Sequence, residues 1–472
     1  MLAAAVSAEQ SGELAAQLTP GGFPVSAAPR PPRALSFDGF SGPTYVVRAT
    51  SNRYHCSETA LCLRNRSRPW LSIIERSRAS PMKIDIVSEN AGPLLPAACR
   101  HPSAQSVHVR ELALALARQN HDVTVWTRRV CADAPDTALL ADAVRVRSLD
   151  AGPLRPASDR EIVPHLPELA AQLRRAWSGD RPDVVHAHSW TSGMVALSAA
   201  RDVDVPTVHT FHLLASVARR RQDQDRGGLT GRARAERSIA QAAGRLIATS
   251  TGQAEELTRL GATRDVVRVI PHGIDVDEFN PEGPMLPRGK RPRVVHAGRL
   301  APGRGADETV AAMAAVPGAE LVLAGDFGPD DRDRIRIEQL AARYRITDRL
   351  RLLEALPRAR VPELLRSADV VVCVPWFGKF GVVALEAMAC ARPVVASEVG
   401  GLTDTVVNGV TGAHVPPRRL PELASTLRSV LGFPTMSTAL GVAGRDRAEA
   451  RYGWDRIADS TVDVYRQVIS GG

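Results

Sequence analysis

The sequence predicts an α/β protein with two doubly wound domains, each built on a parallel sheet. From Met82 onward, short β-branched runs alternate with longer amphipathic segments, a pattern that favours parallel strands joined by right-handed helical crossovers. A stretch dense in Pro and Gly interrupts this pattern at residues 271–293 and suits a connection between domains. The length of 472 residues is enough for two or three domains.

Residues 1–81 show neither helical nor strand periodicity, and Pro, Gly, Ser and Arg are scattered through them. We expect this part to be a disordered extension. Its first residues carry acidic groups and lack the order of basic region, apolar core and cleavage site that a secretory signal needs. An alternative is that the protein proper starts at Met82, because MKIDIVSE is a natural first strand.

The first domain is predicted over residues 82–272. Its helices carry apolar side chains on one face, as Val109, Leu112 and Leu116 do in the first of them. The predicted strands are Lys83–Val87, Asp122–Thr127, Asp183–His186, Thr207–Thr210 and Arg245–Thr249. The predicted helices are Ser106–Gln119, Pro167–Ser178, Gly193–Ala200, Arg234–Ala243 and Thr251–Leu260.

A linker is predicted at residues 273–293, and the second domain at residues 294–451. Short apolar runs mark the strands of its sheet. These runs are Val294–Ala297, Glu320–Ala324, Leu350–Leu353, Val370–Val374 and Pro393–Ala396. The last segment, Trp454–Ile469, fits an amphipathic helix.

One stretch of the second domain, Ala368–Gly409, has the pattern of a phosphate site. The strand Val370–Val374 is followed by the glycine-bearing turn Phe377–Gly381 and by a helix predicted over Val382–Cys390. This order places free backbone N–H groups and the positive end of a helix dipole at the carboxyl edge of the sheet, where a diphosphate can bind. Glu386 lies about one turn into that helix, within reach of sugar hydroxyls. The stretch therefore predicts a nucleotide-sugar site.

The run PWFGKFGVVALEAMACARPVVASEVGGLTDTVVNGVTG resembles the donor-site signature of the retaining GT-B glycosyltransferases of the family 4 type. The resemblance implies two Rossmann-like domains facing across a cleft, with residues 82–272 as the acceptor domain and residues 294–451 as the donor domain. It also implies that a helix at about residues 452–472 returns to complete the first domain. The activity implied is transfer of a sugar from a nucleoside diphosphate sugar to a hydroxyl acceptor, with retention of the anomeric configuration.

The family holds its donor with two glutamates eight positions apart, one at the transferred sugar and one at the ribose. The second glutamate corresponds to Glu386, whereas the first position is occupied by Gly378. The loop that usually carries a glycine pair after the first strand has Ser103 and Ala104. The alternative is therefore a catalytically weak or silent paralogue that binds a nucleotide or partners an active enzyme.

Basic residues follow the first strand of the second domain in the run GRLAPGRG. A guanidinium at the carboxyl end of a strand can bind a diphosphate bidentately and stabilise the charge of a leaving group. The family has an arginine and then a lysine here, which correspond to Arg299 and Arg304. The resemblance also implies that Gly298, directly before them, contacts the donor. The alternative is that both are solvated arginines of an arginine-rich chain.

His209 and His212 end a strand of the first domain in the run HTFH. Two histidines three residues apart could bind a metal, but no third ligand at a suitable spacing accompanies them, so neither a metal nor a cofactor is predicted. The family carries a similar Thr-Phe-His whose histidine lies beside the donor sugar, and His212 matches it; the alternative is a structural histidine that caps a loop. For His186 and His188, also at a strand end, a structural role is predicted.

Further donor contacts are implied where the chain meets the diphosphate. In the family these contacts include the start of the helix and the glycine pair after the following strand. The corresponding residues are Phe380, Gly381, Val382, Val383, Gly400 and Gly401. For the glycine pair the alternative is a tight turn without a ligand.

Composition excludes several other classes of protein. The net charge is +9, but aromatic residues make up only 4% of the chain, so the stacking surface of a nucleic-acid binder is not predicted. No P-loop and no Gly-x-Ser-x-Gly elbow occurs. No apolar run is long enough to predict a membrane span, whereas contact with a membrane surface stays open. The six cysteines lack paired metal spacing, which favours reduced thiols and a cytoplasmic protein.

Overall fold

The computed structural model describes residues 49–50, 53–54, 80–94, 103–216, 231–328, 331–354, 356–377 and 380–471. The chain divides into two compact units, Met1–Ser77 and Arg78–Gly472. In the first unit the described residues form an antiparallel pair of two-residue strands, Ala49–Thr50 and Arg53–Tyr54. The rest of the predicted disordered extension, up to residue 79, lies outside the described residues.

The second unit begins with a sheet of eight strands. Its strands are β1 (Lys83–Val87), β2 (Asp122–Arg128), β3 (Thr137–Leu140), β4 (Val144–Leu149), β5 (Val184–His188), β6 (Thr207–Thr210), β7 (Arg245–Ala248) and β8 (Val267–Val269). The spatial order is β8-β7-β6-β5-β1-β2-β4-β3. All neighbours are parallel except β3 and β4, which form an antiparallel edge. Neither of these two strands was predicted from the sequence.

Helices cover both faces of this sheet. They are α1 (Ala104–Arg118), α2 (Asp159–Ile162), α3 (Leu166–Gly179), α4 (Trp190–Arg201), α5 (Arg232–Ala242) and α6 (Thr251–Arg259), with 3₁₀ turns at Val163–His165 and Arg264–Val266. Helix α1 begins after Ser103, whose side chain accepts a hydrogen bond from the backbone N–H of Ser106 at 3.0 Å. This cap satisfies one of the free N–H groups of the first turn and fixes where the chain turns from the loop into the helix.

The second sheet has six strands, all parallel. They are β9 (Arg293–Ala297), β10 (Glu320–Gly325), β11 (Leu350–Glu354), β12 (Val370–Cys373), β13 (Val394–Ser397) and β14 (Ala413–Val415), in the spatial order β11-β10-β9-β12-β13-β14. Strands β10, β12 and β13 are buried along their whole length, as expected of parallel strands covered on both faces. The prediction of two doubly wound α/β domains is therefore confirmed.

The helices that follow β9 along the chain include several short ones, and the three longest are the last three. They are α7 (Ala306–Met313), α8 (Arg332–Arg343), α9 (Val361–Arg366), α10 (Val382–Ala389), α11 (Leu402–Thr405), α12 (Leu420–Gly432), α13 (Pro434–Tyr452) and α14 (Trp454–Ser470), with 3₁₀ turns at Thr347–Arg349 and Arg358–Arg360. Among the described residues, none of the helices is both long and apolar enough to cross a bilayer.

The last helix, α14, packs into the core of the first sheet. Its buried residues Ile457, Val462 and Val468 join a cluster that also contains Ile84 and Val109. The predicted linker has no helix or strand before Arg293, where β9 begins, and Phe279 and Leu286 within it are buried against the second sheet. The end of the chain therefore contributes to the core from which the first-sheet loops project.

A buried carboxyl group lies on a central strand of the first sheet. Asp85 on β1 is 2% exposed and accepts hydrogen bonds from the indole N–H groups of Trp126 at 2.6 Å and Trp177 at 2.7 Å. Burial raises the pKa of Asp85 from its ordinary 3.8 to about 6, although the two indole donors oppose that shift. Deprotonation of Asp85 therefore costs more in the folded chain than in the unfolded chain.

This burial predicts a pH dependence of stability that Asp85→Asn should remove. Because the folded pKa is raised, the stabilising contribution of Asp85 is complete below about pH 4 and is lost as the pH rises through about 6. The size of the pKa shift corresponds to about 3 kcal/mol. Thermal melts at pH 4 to 8 should show a smaller decline for Asp85→Asn than for the unaltered protein. Parallel curves would contradict the assignment, since Glu89, whose pKa burial raises to about 7, contributes equally to both proteins.

Candidate active site in the cleft between the two sheets

Two adjoining cavities of about 540 Å³ and about 450 Å³ lie at the carboxyl ends of the two sheets. Residues of the first domain, including Ser103 and Ala104, form one wall, and residues that follow β9 form the other. Both cavities are lined by Gly298, Arg299, Arg304, Val382 and Val383. Residues predicted from separate parts of the chain therefore meet in one space.

Arg299 and Arg304 place two positive charges side by side at this space. Arg299 is exposed and Arg304 is half-buried, and neither forms an ion pair or a side-chain hydrogen bond with any residue that the structure describes. Burial, together with the positive charge of Arg299, lowers the pKa of Arg304. Two neighbouring guanidinium groups without a counter-charge form a site suited to an anion with several oxygens, such as a diphosphate.

The chain can approach a ligand closely at Gly298, directly after β9. Its φ is +132°, a conformation that side chains rarely adopt, and a Cβ there would meet no atom within 4 Å. Its backbone N–H donates to the carbonyl of Ala324 at 2.8 Å, which ties the loop to β10. Glycine thus lets the backbone turn toward the cavity while the sheet holds its position.

Helix α10 points its amino-terminal end into the same space. Gly381 caps the helix in the left-handed conformation with φ +79°, and the first-turn residues Val382 and Val383 line both cavities. The first N–H groups of a helix have no partner within it, and the helix dipole adds partial positive charge there. Phe380 lines the smaller of the two cavities, whereas Gly378 lies outside the described residues.

Replacement of Gly381 should disturb this end of α10. Alanine would adopt φ +79°, and its Cβ would overlap the buried side chain of Leu402. The backbone strain costs roughly 1–2 kcal/mol, and the overlap adds about 1–3 kcal/mol. Gly409, with φ +73° and open space around it, is a matched control in which only the strain acts. Urea unfolding should therefore show a larger loss of stability for Gly381→Ala than for Gly409→Ala, and equal losses would contradict the packing.

Glu386 is buried on α10 with 2% of its surface exposed, and it lines the larger cavity. Its Oε1 accepts a hydrogen bond from Nη1 of Arg358, whose guanidinium also lies over the ring of Phe279 at 4.6 Å. Burial raises the pKa of the Glu386 carboxyl, and Arg358 opposes that shift. The ion pair favours the charged form of this carboxyl group, whereas burial favours its neutral form. The sequence singled out Glu386, but not its contact with Arg358.

His212 lies on the first-domain side, where it lines the smaller donor-side cavity. Its φ of +56° is unusual for a residue with a side chain, and its Nε2 lies 2.9 Å from Nδ1 of His188. Gly400 and Gly401 instead line a third cavity of about 690 Å³, which His212 and Phe380 also reach. The glycine pair is therefore next to the donor-side cavities but does not line them.

His272 is a cleft residue that the sequence did not reveal. It is buried, it lines both donor-side cavities, and its Nε2 lies 3.3 Å from the carbonyl oxygen of Ala104. It lies in the run IPHGID, as the last residue of the predicted first domain before the linker. The available signal was a histidine close after the last strand of the first sheet. The sequence around it has no helical or strand periodicity, so the position of its side chain could not be predicted.

Comparison with known proteins agrees with this geometry. Residues 105–278 match the family model described as Glycosyltransferase Family 4. Residues 283–447 match the family model described as Glycosyl transferases group 1. A D-inositol 3-phosphate glycosyltransferase from Streptomyces bingchenggensis is 32% identical, over 85% of this chain and 93% of its own length. A protein of the same name from Kribbella flavida is 33% identical, over 81% of this chain and 95% of its own length.

Solved structures show the same fold. Sucrose-phosphate synthase from Thermosynechococcus elongatus superposes with a TM-score of 0.75 at 29% identity, covering 82% of this chain and 99% of its own. An Anabaena protein in complex with UDP and glucose superposes with a TM-score of 0.63 at 20% identity, covering 82% and 100%, which supports the fold alone. The chain belongs to glycosyltransferase family 4 and is a glycosyltransferase with the GT-B fold.

Proposed function

We propose that the enzyme transfers a sugar from a nucleoside diphosphate sugar to a hydroxyl of a phosphorylated polyol, with retention of the anomeric configuration. The observation that carries the donor is a pair of guanidinium groups, those of Arg299 and Arg304, which have no partner among the described residues and line the same cavities as the amino-terminal end of α10. Both features attract a diphosphate. Glu386 lies deeper in the same cavity, where its carboxylate can accept hydrogen bonds from ribose hydroxyls.

The proposed reaction develops negative charge on the diphosphate as the bond from the sugar carbon to the phosphate oxygen breaks. Arg299, Arg304 and the first N–H groups of α10 stabilise that charge, which lowers the barrier because it is greatest in the transition state. The acceptor hydroxyl attacks the same face of the sugar, and its proton passes to the departing phosphate oxygen. This route needs no side-chain base. His212 is proposed to contact the sugar from the first domain.

The names of the relatives support the proposed acceptor class. Two of them are named D-inositol 3-phosphate glycosyltransferase, and a third is named sucrose-phosphate synthase. We therefore expect a phosphorylated polyol in the cleft on the first-domain side, where Ser103 and Ala104 border both donor-side cavities. The cysteine usage supports a cytoplasmic location.

A second candidate is a catalytically weak family member that still binds a nucleotide. The observation that favours it is Gly378, which stands where the family has its sugar-side glutamate. Without that carboxylate the transferred sugar has one fewer hydrogen-bond acceptor to orient it.

Calorimetry with UDP, GDP and ADP, followed by turnover assays with the matching sugar nucleotides and with inositol phosphates, tests the proposal. Binding of one diphosphate and transfer of its sugar with retained anomeric configuration is the expected result. Binding without turnover on any donor would favour the second candidate, and a gain of turnover in Gly378→Glu would identify the reason. Failure to bind any of the three diphosphates would overturn both.

A further inference from the structure

We propose that His108, His188 and His212 form a binding site for a transition-metal cation, with Zn²⁺ as the probe, at the first-domain wall of the cleft. Each histidine supplies one ring nitrogen, and these nitrogen atoms all lie within 4.8 Å of one another. Three imidazoles whose nitrogen atoms lie this close are a ligand set suited to zinc, with a further position left for water. Nothing in the family match or in the relatives' names assigns a metal to these residues.

The three side chains come from three different elements. His108 lies on α1, His188 is the last residue of β5, and His212 follows β6. Ring centroids are 5.0 Å apart for His108 and His212, 5.2 Å for His188 and His212, and 5.5 Å for His108 and His188. Zinc–nitrogen bonds of about 2.0–2.1 Å place tetrahedral ligand nitrogens about 3.3 Å apart, so small side-chain rotations bring the set to binding distance.

Two ring nitrogens of this triad lack the partner that buried polar atoms normally have. Nδ1 of His108 and Nε2 of His188 are buried without a hydrogen-bond partner among the described residues. An unsatisfied buried polar atom costs free energy, and a metal is one of the ligands that can satisfy it.

The register of the first sheet explains why the triad forms. His188 on β5 is the neighbour of Thr210 on β6, so His212, two residues further on, emerges beside it. Helix α1 packs next to these strand ends and adds His108. The left-handed φ of +56° at His212 is an outlier of the kind that clusters at ligand sites. The sequence pair His209 and His212 is not the ligand set, because the nitrogen atoms that lie together belong to His108, His188 and His212.

Metal and donor would compete for His212. This ring lines the smaller donor-side cavity, so an ion bound to it withdraws the imidazole from the sugar. Zinc is therefore expected to inhibit transfer, and a chelator is expected to restore it. This consequence rests on the proposed function, whereas the binding site itself does not.

Binding of zinc alone to the full-length protein, in competition with a chromophoric chelator, tests the site. His108→Asn and His188→Asn should each weaken binding by at least about tenfold. His165→Asn is the matched control, since His165 is partly exposed on a 3₁₀ turn and lines neither donor-side cavity. Loss of binding in Cys131→Ser, Cys56→Ser or Cys62→Ser, with the His108 and His188 variants unchanged, would overturn the proposal.

Anomalous scattering from zinc-soaked crystals of the unaltered protein gives a measurement that does not depend on how the variants fold. A peak bonded to the three imidazoles is expected, and a peak elsewhere or no peak would contradict the site. In turnover assays, zinc should lower the rate of the unaltered protein and leave the rate of His108→Asn unchanged. If no donor is ever turned over, the proposed function fails while the two binding measurements still decide the metal site.

Discussion

Arg299→Ala is expected to lower the turnover number for sugar transfer by roughly 10²–10³, the loss typical when one preorganised donor to a developing charge is removed. The guanidinium faces the cleft without a counter-charge among the described residues. It can therefore bind the diphosphate without first breaking an ion pair within the protein. Binding of the nucleoside diphosphate should weaken as well, because a charged hydrogen bond contributes about 1.5–3 kcal/mol. Arg299→Lys should recover part of the loss, since lysine keeps the charge but not the bidentate geometry.

The matched control is Arg351→Ala. Arg351 is also exposed and lies on β11 of the same sheet, but it lines neither donor-side cavity. Its removal should change neither diphosphate affinity nor turnover. If Arg299→Ala kept the unaltered turnover number while its melting temperature stayed the same, Arg299 would not contact the leaving group.

Glu386→Gln is expected to weaken nucleoside diphosphate binding by about 10- to 100-fold. The carboxylate lies in the larger cavity, and glutamine keeps its size while losing the charge that strengthens hydrogen bonds from ribose hydroxyls. Affinity for inorganic diphosphate, which has no ribose, should change much less. Calorimetry with both ligands separates the two contributions, and an equal loss for both would place Glu386 away from the ribose.

Glu386 also forms an ion pair with Arg358, so its removal affects folding stability. A carboxylate that is 2% exposed is costly to leave without its partner, and Arg358→Ala alone should therefore destabilise the chain. A double-mutant cycle of Glu386→Gln and Arg358→Ala isolates their interaction energy. We expect the ion pair to account for the loss of stability and the ribose contact to account for the loss of affinity.

The parts of the fold that the sequence revealed are those with a local signal. Thr207–Thr210 was predicted with the bounds that the structure gives it, because a short β-branched run between turns has few other interpretations. The antiparallel pair Thr137–Leu140 and Val144–Leu149 was missed. Thr137–Leu140 has four residues and forms the sheet edge, and Val144–Leu149 is its neighbour. At such positions pairing with a neighbour, rather than composition, decides the structure.

In the candidate site, too, some features could be predicted from local sequence signals and others could not. Gly298, Arg299 and Val382 follow strands or begin a helix, and parallel sheets gather such positions at one edge, so their neighbourhood could be predicted. The contact of Arg358 with Glu386 and that of His188 with His212 join residues 28 and 24 positions apart. Neither contact has a periodic signal, because each depends on how separate elements pack. The sequence therefore did not predict that His108, His188 and His212 lie together.

A crystal structure of the enzyme with the nucleoside diphosphate that binds most tightly tests the central claim most directly. The diphosphate is expected within hydrogen-bond distance of the Arg299 guanidinium and of the backbone N–H groups that open α10, with the ribose at Glu386. A diphosphate held anywhere else on the chain, with Arg299 directed into solvent, would contradict the account.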